Sequence, residues 1–252
     1  MLGESSEREV VRQTSSPAIR VHDHQLEKRA SVVQMYALFA DVPEQERREI
    51  LAAAHEKQYS RRQTIFLEGD PVRQTILLTS GCAKIVQIGQ GGTEVILRLI
   101  GPGEVVGGVG VSPHGRNCSM AQSLNTSTAL VWDIATFENL SHRFKTLRRN
   151  AIQILCHRLQ DLEVRYREIS TERVAARLGH QLLRLFNQVG KRVNGAIEIG
   201  LSREELAQLT GTTLFTVSRL LSDWDERGIV STRREAVSIN DLQALAQLSE
   251  AE

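Results

Sequence analysis

Aromatic residues are scarce in this sequence, at 4% of the chain, and it contains only three cysteines. With so few aromatic side chains, the core must consist mainly of Leu, Ile and Val. Cys82, Cys118 and Cys156 are widely spaced, so we expect three free thiols in a reducing cytoplasm rather than a disulfide framework or a CxxC metal site. An apolar run of about 18 residues is also missing, and we therefore expect no transmembrane helix.

Neither sign of charge dominates, because 31 basic side chains stand beside 30 acidic ones. This balance neither favours nor excludes nucleic acid, since DNA binding needs only a local basic surface. The P-loop, GxSxG, HExxH and dinucleotide-binding fingerprints are missing as well. The glycine-rich run 89–92 is typical of a hairpin turn between two strands. We therefore expect neither catalytic activity nor a metal site.

The hydrophobic pattern divides the chain into four segments. Residues 1–30 are polar, lack the apolar core of a signal peptide and are predicted to form a mobile arm. In residues 31–135, short runs rich in Ile, Val and Leu alternate with Gly, Pro, Asp and Asn, which is typical of strands and turns. We predict an antiparallel β-roll, similar to a jelly roll, for this second segment.

The third segment, residues 136–170, contains neither Gly nor Pro and is predicted to form one long helix. A helix of about 30 residues is about 45 Å long, which is more than a small domain covers alone. We predict that it packs on the same helix of a second copy, with packing inside its own domain as the alternative. Apolar residues spaced alternately by three and four positions form the predicted dimer interface: Ile152, Leu155, Leu159, Leu162, Tyr166 and Ile169.

The fourth segment, residues 171–252, contains a helix-turn-helix pattern. Ser202 followed by Glu205 is typical of a capping box at a helix start. Gly211 ends this first helix, and a second one is predicted over 212–227. Two short helices joined by a glycine-containing turn are typical of DNA-binding proteins. A predicted β-hairpin with Arg233 at its tip follows as a wing beside the DNA backbone.

The second of these helices carries polar side chains on its predicted outer face. Arginine forms paired hydrogen bonds with guanine edges, Ser and Thr bind bases or phosphates, and Phe contacts the methyl group of thymine. Arg203, at the start of the first helix, is placed to meet a phosphate. The predicted DNA contacts are Arg203, Thr212, Thr213, Phe215, Thr216, Ser218, Arg219 and Arg233.

Four short motifs connect these segments: Leu67-Glu68-Gly69-Asp70, Ser80-Gly81, Gly101-Pro102-Gly103-Glu104, and 201–207 followed by Arg219. With them, the layout from about Met35 to Leu245 resembles the cyclic-AMP receptor protein/FNR family of bacterial transcription regulators. The resemblance implies an α+β fold with a β-roll sensor domain, a long dimerisation helix and a C-terminal winged helix-turn-helix. It also implies a cytoplasmic homodimer that reads a palindromic site in double-stranded DNA and contacts RNA polymerase.

The resemblance implies an effector pocket in the roll, where this sequence departs from the family pattern. Cyclic-AMP binders of the family carry Gly-Glu and then Arg-Ser or Arg-Thr. Here the first pair is Gly107-Gly108 and the second is Asn117-Cys118, with Arg116 one residue away. The missing acid removes a charged hydrogen bond to ribose, which costs about 1.5–3 kcal/mol. We therefore predict that these five residues line a pocket for an unidentified effector other than cyclic AMP.

Cofactors of the family are only partly compatible with this sequence. Its iron–sulfur sensors use clustered N-terminal cysteines, whereas the first cysteine here is Cys82, which argues against such a cluster. Haem remains a possible cofactor. Its candidate ligands are His114, Cys118, His142 and His157, and each of these is also compatible with a structural or solvated role.

The reading helix also departs from FNR-like members, which use a Glu followed three and four positions later by Ser-Arg. Here Ser218 and Arg219 are kept, and Phe215 replaces the Glu. Phe does not accept a hydrogen bond from cytosine, so we expect altered or relaxed specificity at that base. The competing functional class is a ligand-binding regulatory module that acts through protein–protein contacts.

Overall fold

The computed structural model describes residues 31–108, 115–193 and 196–250, so the predicted arm 1–30 lies outside the described residues. The N-terminal half forms two four-stranded antiparallel sheets, ordered β1-β8-β3-β6 and β2-β7-β4-β5. Its strands are β1 His55–Tyr59, β2 Thr64–Phe66, β3 Gln74–Ser80, β4 Ala83–Ile88, β5 Glu94–Ile100, β6 Val105–Val106, β7 Met120–Ser123 and β8 Ser127–Asp133.

The two sheets face each other across a shared apolar core. Because successive side chains of a strand point to opposite faces, Ile76 and Leu78 of β3 belong to this core, whereas Leu77 between them belongs to a second cluster. That second cluster also contains Trp132, whose indole nitrogen donates to the carbonyl of Ile50 at 2.7 Å. The predicted β-roll is confirmed, with buried side chains on both faces of its first sheet.

Helices cover the roll and continue into the C-terminal half. A short 3₁₀ turn at Ala37–Phe39 precedes them. The helices in the described ranges are α1 Glu44–Ala52, α2 Ile134–Arg143, α3 Lys145–Thr171, α4 Val174–Gln188, α5 Arg203–Thr210, α6 Leu214–Glu226 and α7 Leu242–Glu250.

The single helix predicted over 136–170 is interrupted, and this part of the prediction is wrong. Phe144 separates α2 from α3 with φ −105° and ψ 96°, although no glycine or proline is present. Its side chain is buried with Phe137 and Leu147 in the cluster below the roll. We attribute the interruption of the helix at Phe144 to the burial of these three side chains. The helix propensity of the local sequence does not indicate it. The remaining helix α3 has 27 residues and is about 40 Å long.

The C-terminal half contains a third antiparallel sheet, ordered β11-β12-β10-β9, beside helices α4 to α7. Its strands are β9 Lys191–Val193, β10 Ala196–Ile199, β11 Val230–Arg233 and β12 Ala236–Ile239. The α+β fold class with a C-terminal winged helix-turn-helix is thereby confirmed.

The two halves of the chain share a buried surface. Val86, Ile96 and Leu99, on the outer face of β4 and β5, belong to the same apolar cluster as Leu206 and Leu209 of α5. At the edge of this contact, Nε2 of Gln208 donates to the Glu94 carboxylate at 3.3 Å. The first helix of the helix-turn-helix is therefore packed directly against the β-roll.

Candidate nucleic-acid interface and effector pocket

Local hydrogen bonds define the start of the helix-turn-helix. The backbone N–H of Ser202 donates to the Glu205 carboxylate at 2.7 Å, and the N–H of Glu205 donates to the Ser202 hydroxyl at 3.2 Å. This is the reciprocal capping box that the sequence predicts, and it satisfies N–H groups that have no partner within the helix. Helix α5 therefore begins at Arg203, as its sequence indicates.

The turn between the two helices depends on Gly211. Its φ of 62° and ψ of 45° lie in the left-handed region, which glycine adopts at little cost. The hydroxyl of Thr213 then accepts from the N–H of Thr216 at 3.2 Å and caps the second helix, α6. This turn therefore sets the orientation of α6 relative to α5.

The inner face of α6 is apolar and buried, with Val217, Leu221 and Trp224 packed in the C-terminal core. The opposite face contains the predicted reading residues. Phe215 is 78% exposed, and Arg219 is exposed as well. Helix α6 is therefore held from one side and presents the other side to solvent, which is the geometry that a recognition helix requires.

The remaining predicted contacts on α6 lie near its N-terminal end. Thr213 is exposed, whereas Thr212, Thr216 and Ser218 are half-buried. The hydroxyls of Thr213 and Thr216 are 2.9 Å apart and bond to each other. The structure thus brings the predicted residues of 212–219 to one end of one helix, where unpaired backbone N–H groups also favour a phosphate.

Arg203 and Arg233 flank this helix at the wing formed by β11 and β12. The guanidinium of Arg203 donates to the Thr232 hydroxyl at 3.1 Å, which connects the start of α5 to the wing. Arg233 lies 3.4 Å from the Glu198 carboxylate, with 69% of its side chain exposed. Both arginines therefore retain N–H donors, and both lie on the wing side of the reading helix.

The tip of the wing contacts the β-roll. Glu235 pairs with Arg61 at 2.7 Å and with Arg62 at 3.9 Å, both in the β1–β2 turn. The hydrogen bond from Arg61 and its positive charge lower the pKa of the Glu235 carboxyl. The sequence offers no local signal for this contact, since 174 residues separate Arg61 from Glu235.

A pocket of about 350 Å³ opens in the roll. It lies beside the predicted effector residues Gly107, Gly108, Arg116, Asn117 and Cys118, which we call the effector loop. Gly108 and Asn117 are the predicted residues that line it. Sequence reasoning missed the other lining residues, because distant strands and turns contribute them: Ile65, Phe66, Asp70, Pro71, Val72, Arg73, Gln74, Ile76 and Val106.

Gly107, Arg116 and Cys118 lie next to this pocket without lining it. Gly107 has φ of 74°, and a Cβ there would lie 2.7 Å from the Phe66 ring. The guanidinium of Arg116 donates to the carbonyl of Gly69 at 2.6 Å, and Cys118 is exposed. The guanidinium of Arg116 therefore bonds to the neighbouring turn, and its backbone pairs with Pro71 of the pocket wall.

Two half-buried arginines of α3 connect this helix to the roll. Arg158 donates to the carbonyls of Val105 and Gly107, and Arg165 donates to the carbonyl of Leu97. Burial lowers the pKa of both guanidinium groups, and the nearby charge of Arg98 lowers that of Arg158 further. Because Arg158 bonds to Gly107, the effector loop is in direct contact with the long helix.

Comparison with known proteins supports this division of the chain. The model of the Crp-like helix-turn-helix domain matches residues 176–248, and that of the cyclic nucleotide-binding domain matches residues 56–144. The CRP-like cAMP-activated global transcriptional regulator of Mycobacterium tuberculosis is 27% identical over 191 residues, which is 75% of this chain and 85% of that protein. The chain belongs to the cyclic-AMP receptor protein/FNR family of transcription regulators.

Further relatives span both halves of this regulator. The fumarate and nitrate reduction regulatory protein of Escherichia coli is 26% identical over 196 residues, or 77% of this chain and 78% of that protein. The solved structure of FixK2 from Bradyrhizobium japonicum has a TM-score of 0.69 at 22% identity, covering 79% of this chain and 98% of that one. A CooA mutant from Carboxydothermus hydrogenoformans gives 0.64 at 24% identity, covering 80% and 90%. These two structures show the shared fold.

In this regulator, the apolar stripe predicted on α3 is exposed along one face of the helix. The exposed fractions are 47% for Ile152, 36% for Leu155, 57% for Leu159, 57% for Leu162, 74% for Tyr166 and 53% for Ile169. A contiguous stripe of large, exposed apolar side chains such as these is typical of an interaction surface. No helix in the described ranges combines the length and the apolar character that crossing a membrane requires.

None of the candidate haem ligands in the described ranges lines the pocket of the roll. Cys118, His142 and His157 are exposed, and His114 lies outside the described residues. A different group, Glu168, Glu172 and His180, has ligand atoms within 4.8 Å of one another. Both oxygens of Glu168 accept hydrogen bonds from Arg184, at 2.7 and 2.8 Å. The positive charge that neutralises this carboxylate is therefore the Arg184 guanidinium, and a metal ion would have to compete with it.

Proposed function

We propose that this regulator acts as a homodimer that binds a palindromic site in double-stranded DNA through helix α6 of each copy. The exposed outer face of α6, with Arg219 and Phe215 opposite a buried apolar face, is the observation that carries this proposal. Arg203 and Arg233 would contact the phosphate backbone beside the wing. The dimer would act in the cytoplasm with RNA polymerase as a further partner, and it would have no catalytic activity.

The dimer is supported by the exposed stripe of α3. Its six residues repeat every three or four positions over about five turns, which is the spacing that packs two helices side by side. Two such copies related by a twofold axis would present two reading helices about 34 Å apart, or one turn of B-form DNA. A palindromic operator follows from that symmetry.

Base specificity would come mainly from Arg219. Its guanidinium is suited to the two acceptors of guanine in the major groove, while Phe215 offers only an apolar surface. A guanine would therefore be read strongly, and the base that a Glu would read in FNR-like proteins would be discriminated weakly or through a thymine methyl. Ser218, Thr213 and the other threonines would add bonds to bases or phosphates.

The effector of the roll would be a molecule other than cyclic AMP. Gly108 offers no carboxylate to a ribose, and the guanidinium of Arg116 bonds to Gly69 instead of a phosphate. The pocket wall combines apolar side chains with four polar ones, Asp70, Arg73, Gln74 and Asn117. Titration calorimetry with cyclic AMP should give no binding heat, and an absorption spectrum of the purified protein would report haem directly.

The DNA-binding role is tested by replacing Arg219 with Ala. The loss should cost about 1–3 kcal/mol, or roughly 5- to 150-fold in affinity, and relax one base position. Fluorescence anisotropy with an operator from its own upstream region measures this, at several salt concentrations. Arg227→Ala is the matched control, because Arg227 lies at the opposite end of α6 and pairs with Asp223 at 3.3 Å. Equal affinity of the Arg219→Ala variant and the parent would overturn the assignment.

A further inference from the structure

Two charged residues border the exposed apolar stripe of α3. Leu159 and Leu162 of the stripe occupy the a and d positions of a seven-residue repeat, so Arg158 is at a g position on one side of the stripe and Glu163 is at an e position on the other. Arg158 is half-buried, and Glu163 is exposed. Side chains that meet on one helix are three or four positions apart. These two are five positions apart, so they do not pair within one copy.

Arg158 lies in a region of excess positive charge. Burial and the charge of Arg98 lower the pKa of Arg158 to about 9. Burial also lowers the pKa of Arg98, and the charge of Arg165 lowers it further, against the opposing charges of Glu104 and Asp161. Arg98 and its two neighbouring guanidinium groups therefore face two carboxylates, and a further carboxylate would stabilise them.

Both residues at the border of the stripe keep unused hydrogen-bonding groups. Arg158 donates to the carbonyls of Val105 and Gly107, which uses two of the five N–H groups of a guanidinium. In the part of the chain that the structure describes, no hydrogen bond or ion pair involves the Glu163 carboxylate or the Arg98 guanidinium. Each copy therefore offers N–H donors on one side of the stripe and a carboxylate on the other.

We propose that Glu163 of one copy pairs with Arg158 of the other, and that the twofold axis creates this contact twice. The inference rests on the proposed dimer, with its two α3 helices parallel. In a parallel coiled coil, a g residue faces the e residue five positions later on the partner helix, and these positions form interhelical salt bridges. The other facing pairs along the stripe carry no opposite charges: Ala151 with Cys156, and Arg165 with Ser170.

The partner copy would then contribute a residue next to the effector loop. Arg158 donates to the carbonyl of Gly107 at 2.7 Å, so the partner's Glu163 would be connected to that loop through one guanidinium. Partial burial strengthens such a pair, because its surroundings screen the charges less than water does. A movement of Gly107 would displace Arg158 and weaken the contact between the copies. The strength of the dimer and the conformation of the loop are therefore linked, whatever molecule occupies the pocket of the roll.

Mixing two variants of opposite charge tests the pair between copies. Glu163→Arg alone creates two contacts between arginines, Arg158→Glu alone creates two contacts between carboxylates, and the mixed dimer contains two contacts of opposite charge. Co-expression of the two full-length variants, one of them tagged, followed by native mass spectrometry gives the share of mixed dimer. We expect a share well above the statistical value of about one half. As the control, Gln160→Arg adds the same charge off the stripe and should mix statistically with Arg158→Glu.

A second measurement leaves Arg158 in place, because its replacement also removes the bonds to Val105 and Gly107. Sedimentation equilibrium should give a dimer dissociation constant at least about tenfold higher for Glu163→Arg than for the parent, and at most about twofold higher for Gln160→Arg. Statistical mixing, or equal dissociation constants of the Glu163→Arg variant and the parent, would overturn the proposed pair. A monomeric parent would refute the proposed dimer itself, whereas a dimeric parent whose variants mix statistically would refute this contact alone.

Discussion

The reading helix and the effector loop use their polar side chains in opposite ways. On α6, the inner face packs into the core, and the outer face keeps Arg219 and Phe215 exposed to solvent. In the effector loop, the guanidinium of Arg116 donates to the carbonyl of Gly69, and the side-chain amide of Asn117 donates to the carbonyl of Asp70 at 3.4 Å. One region therefore presents side chains to a partner, and the other uses them to hold its own turn.

The reading helix therefore retains functional residues of the family, whereas the effector loop retains the family's backbone turn without its acidic residue. The helix-turn-helix carries the Ser-Arg pair of its family at the position where DNA would be read. The loop of the roll has the glycine turn of the family, with Gly107 at φ of 74°, but lacks the acid that a ribose would need. Four substitutions test this difference between the two regions and the contacts around them.

The largest effect should come from the dimer stripe, because one reading helix alone covers half a site. Leu159→Asp puts a charge at a position that is 57% exposed in the single chain and buried in the proposed dimer. We expect a monomer in sedimentation experiments and a loss of affinity for a palindrome of at least about 100-fold, as linked sites lose their avidity. Gln160→Asp, one position off the stripe, should remain dimeric. A dimeric Leu159→Asp variant would show that the stripe has another role.

The next effect concerns base choice by the exposed face of α6. Phe215→Glu introduces an acceptor for the amino group of cytosine, and we expect a preference for cytosine at one position worth about 1–3 kcal/mol. Selection of binding sites from a random library measures this shift. Leu214→Glu adds the same charge at the neighbouring, half-exposed position and should not produce it. An unchanged site for Phe215→Glu would remove Phe215 from the reading face.

A smaller effect should distinguish the two glycines of the effector loop. Gly107→Ala requires an L-residue at φ of 74° with its Cβ 2.7 Å from the Phe66 ring, which should cost about 1–2 kcal/mol of unfolding free energy. Gly108→Ala meets nothing within 4 Å and should change it by less than about 0.5 kcal/mol. Urea denaturation of both variants checks the difference. Equal stability of the two would mean that the loop adopts another conformation in solution.

The smallest effect should be the acid dependence of the Glu168–Arg184 pair. The pKa of Glu168 lies below its ordinary value of 4.5, so its stabilising contribution is present above pH 4.5 and is lost as the pH falls through the lowered pKa. As the pH is lowered from 6 to 3, the melting temperature should therefore fall less steeply for Glu168→Gln than for the parent protein. Identical slopes would indicate that the pair does not form in solution.

Much of the helix-turn-helix could be predicted because its signals are local. Ser202 caps a helix together with Glu205 three residues later, and Gly211 supplies the left-handed turn within the same short segment. The alternation of apolar residues predicted the two faces of α6 in the same way. The exposed stripe of α3 was also readable, since the residues of one helix face recur at fixed spacing. The effector pocket was less predictable, because strands and turns that are distant in the chain contribute its wall. Of the predicted residues, only Gly108 and Asn117 line it.

Local patterns were sufficient to predict the main strands, the cap of α5 and the faces of the helices, because these depend on residues within a few positions of one another. The break at Phe144, the hydrogen bond of Arg116 to Gly69 and the packing of α5 on β5 depend instead on tertiary contacts. Each of these joins groups that are distant in the chain or balances helix propensity against burial of a side chain. Such choices depend on which surfaces meet after the chain has folded, and no local pattern records them.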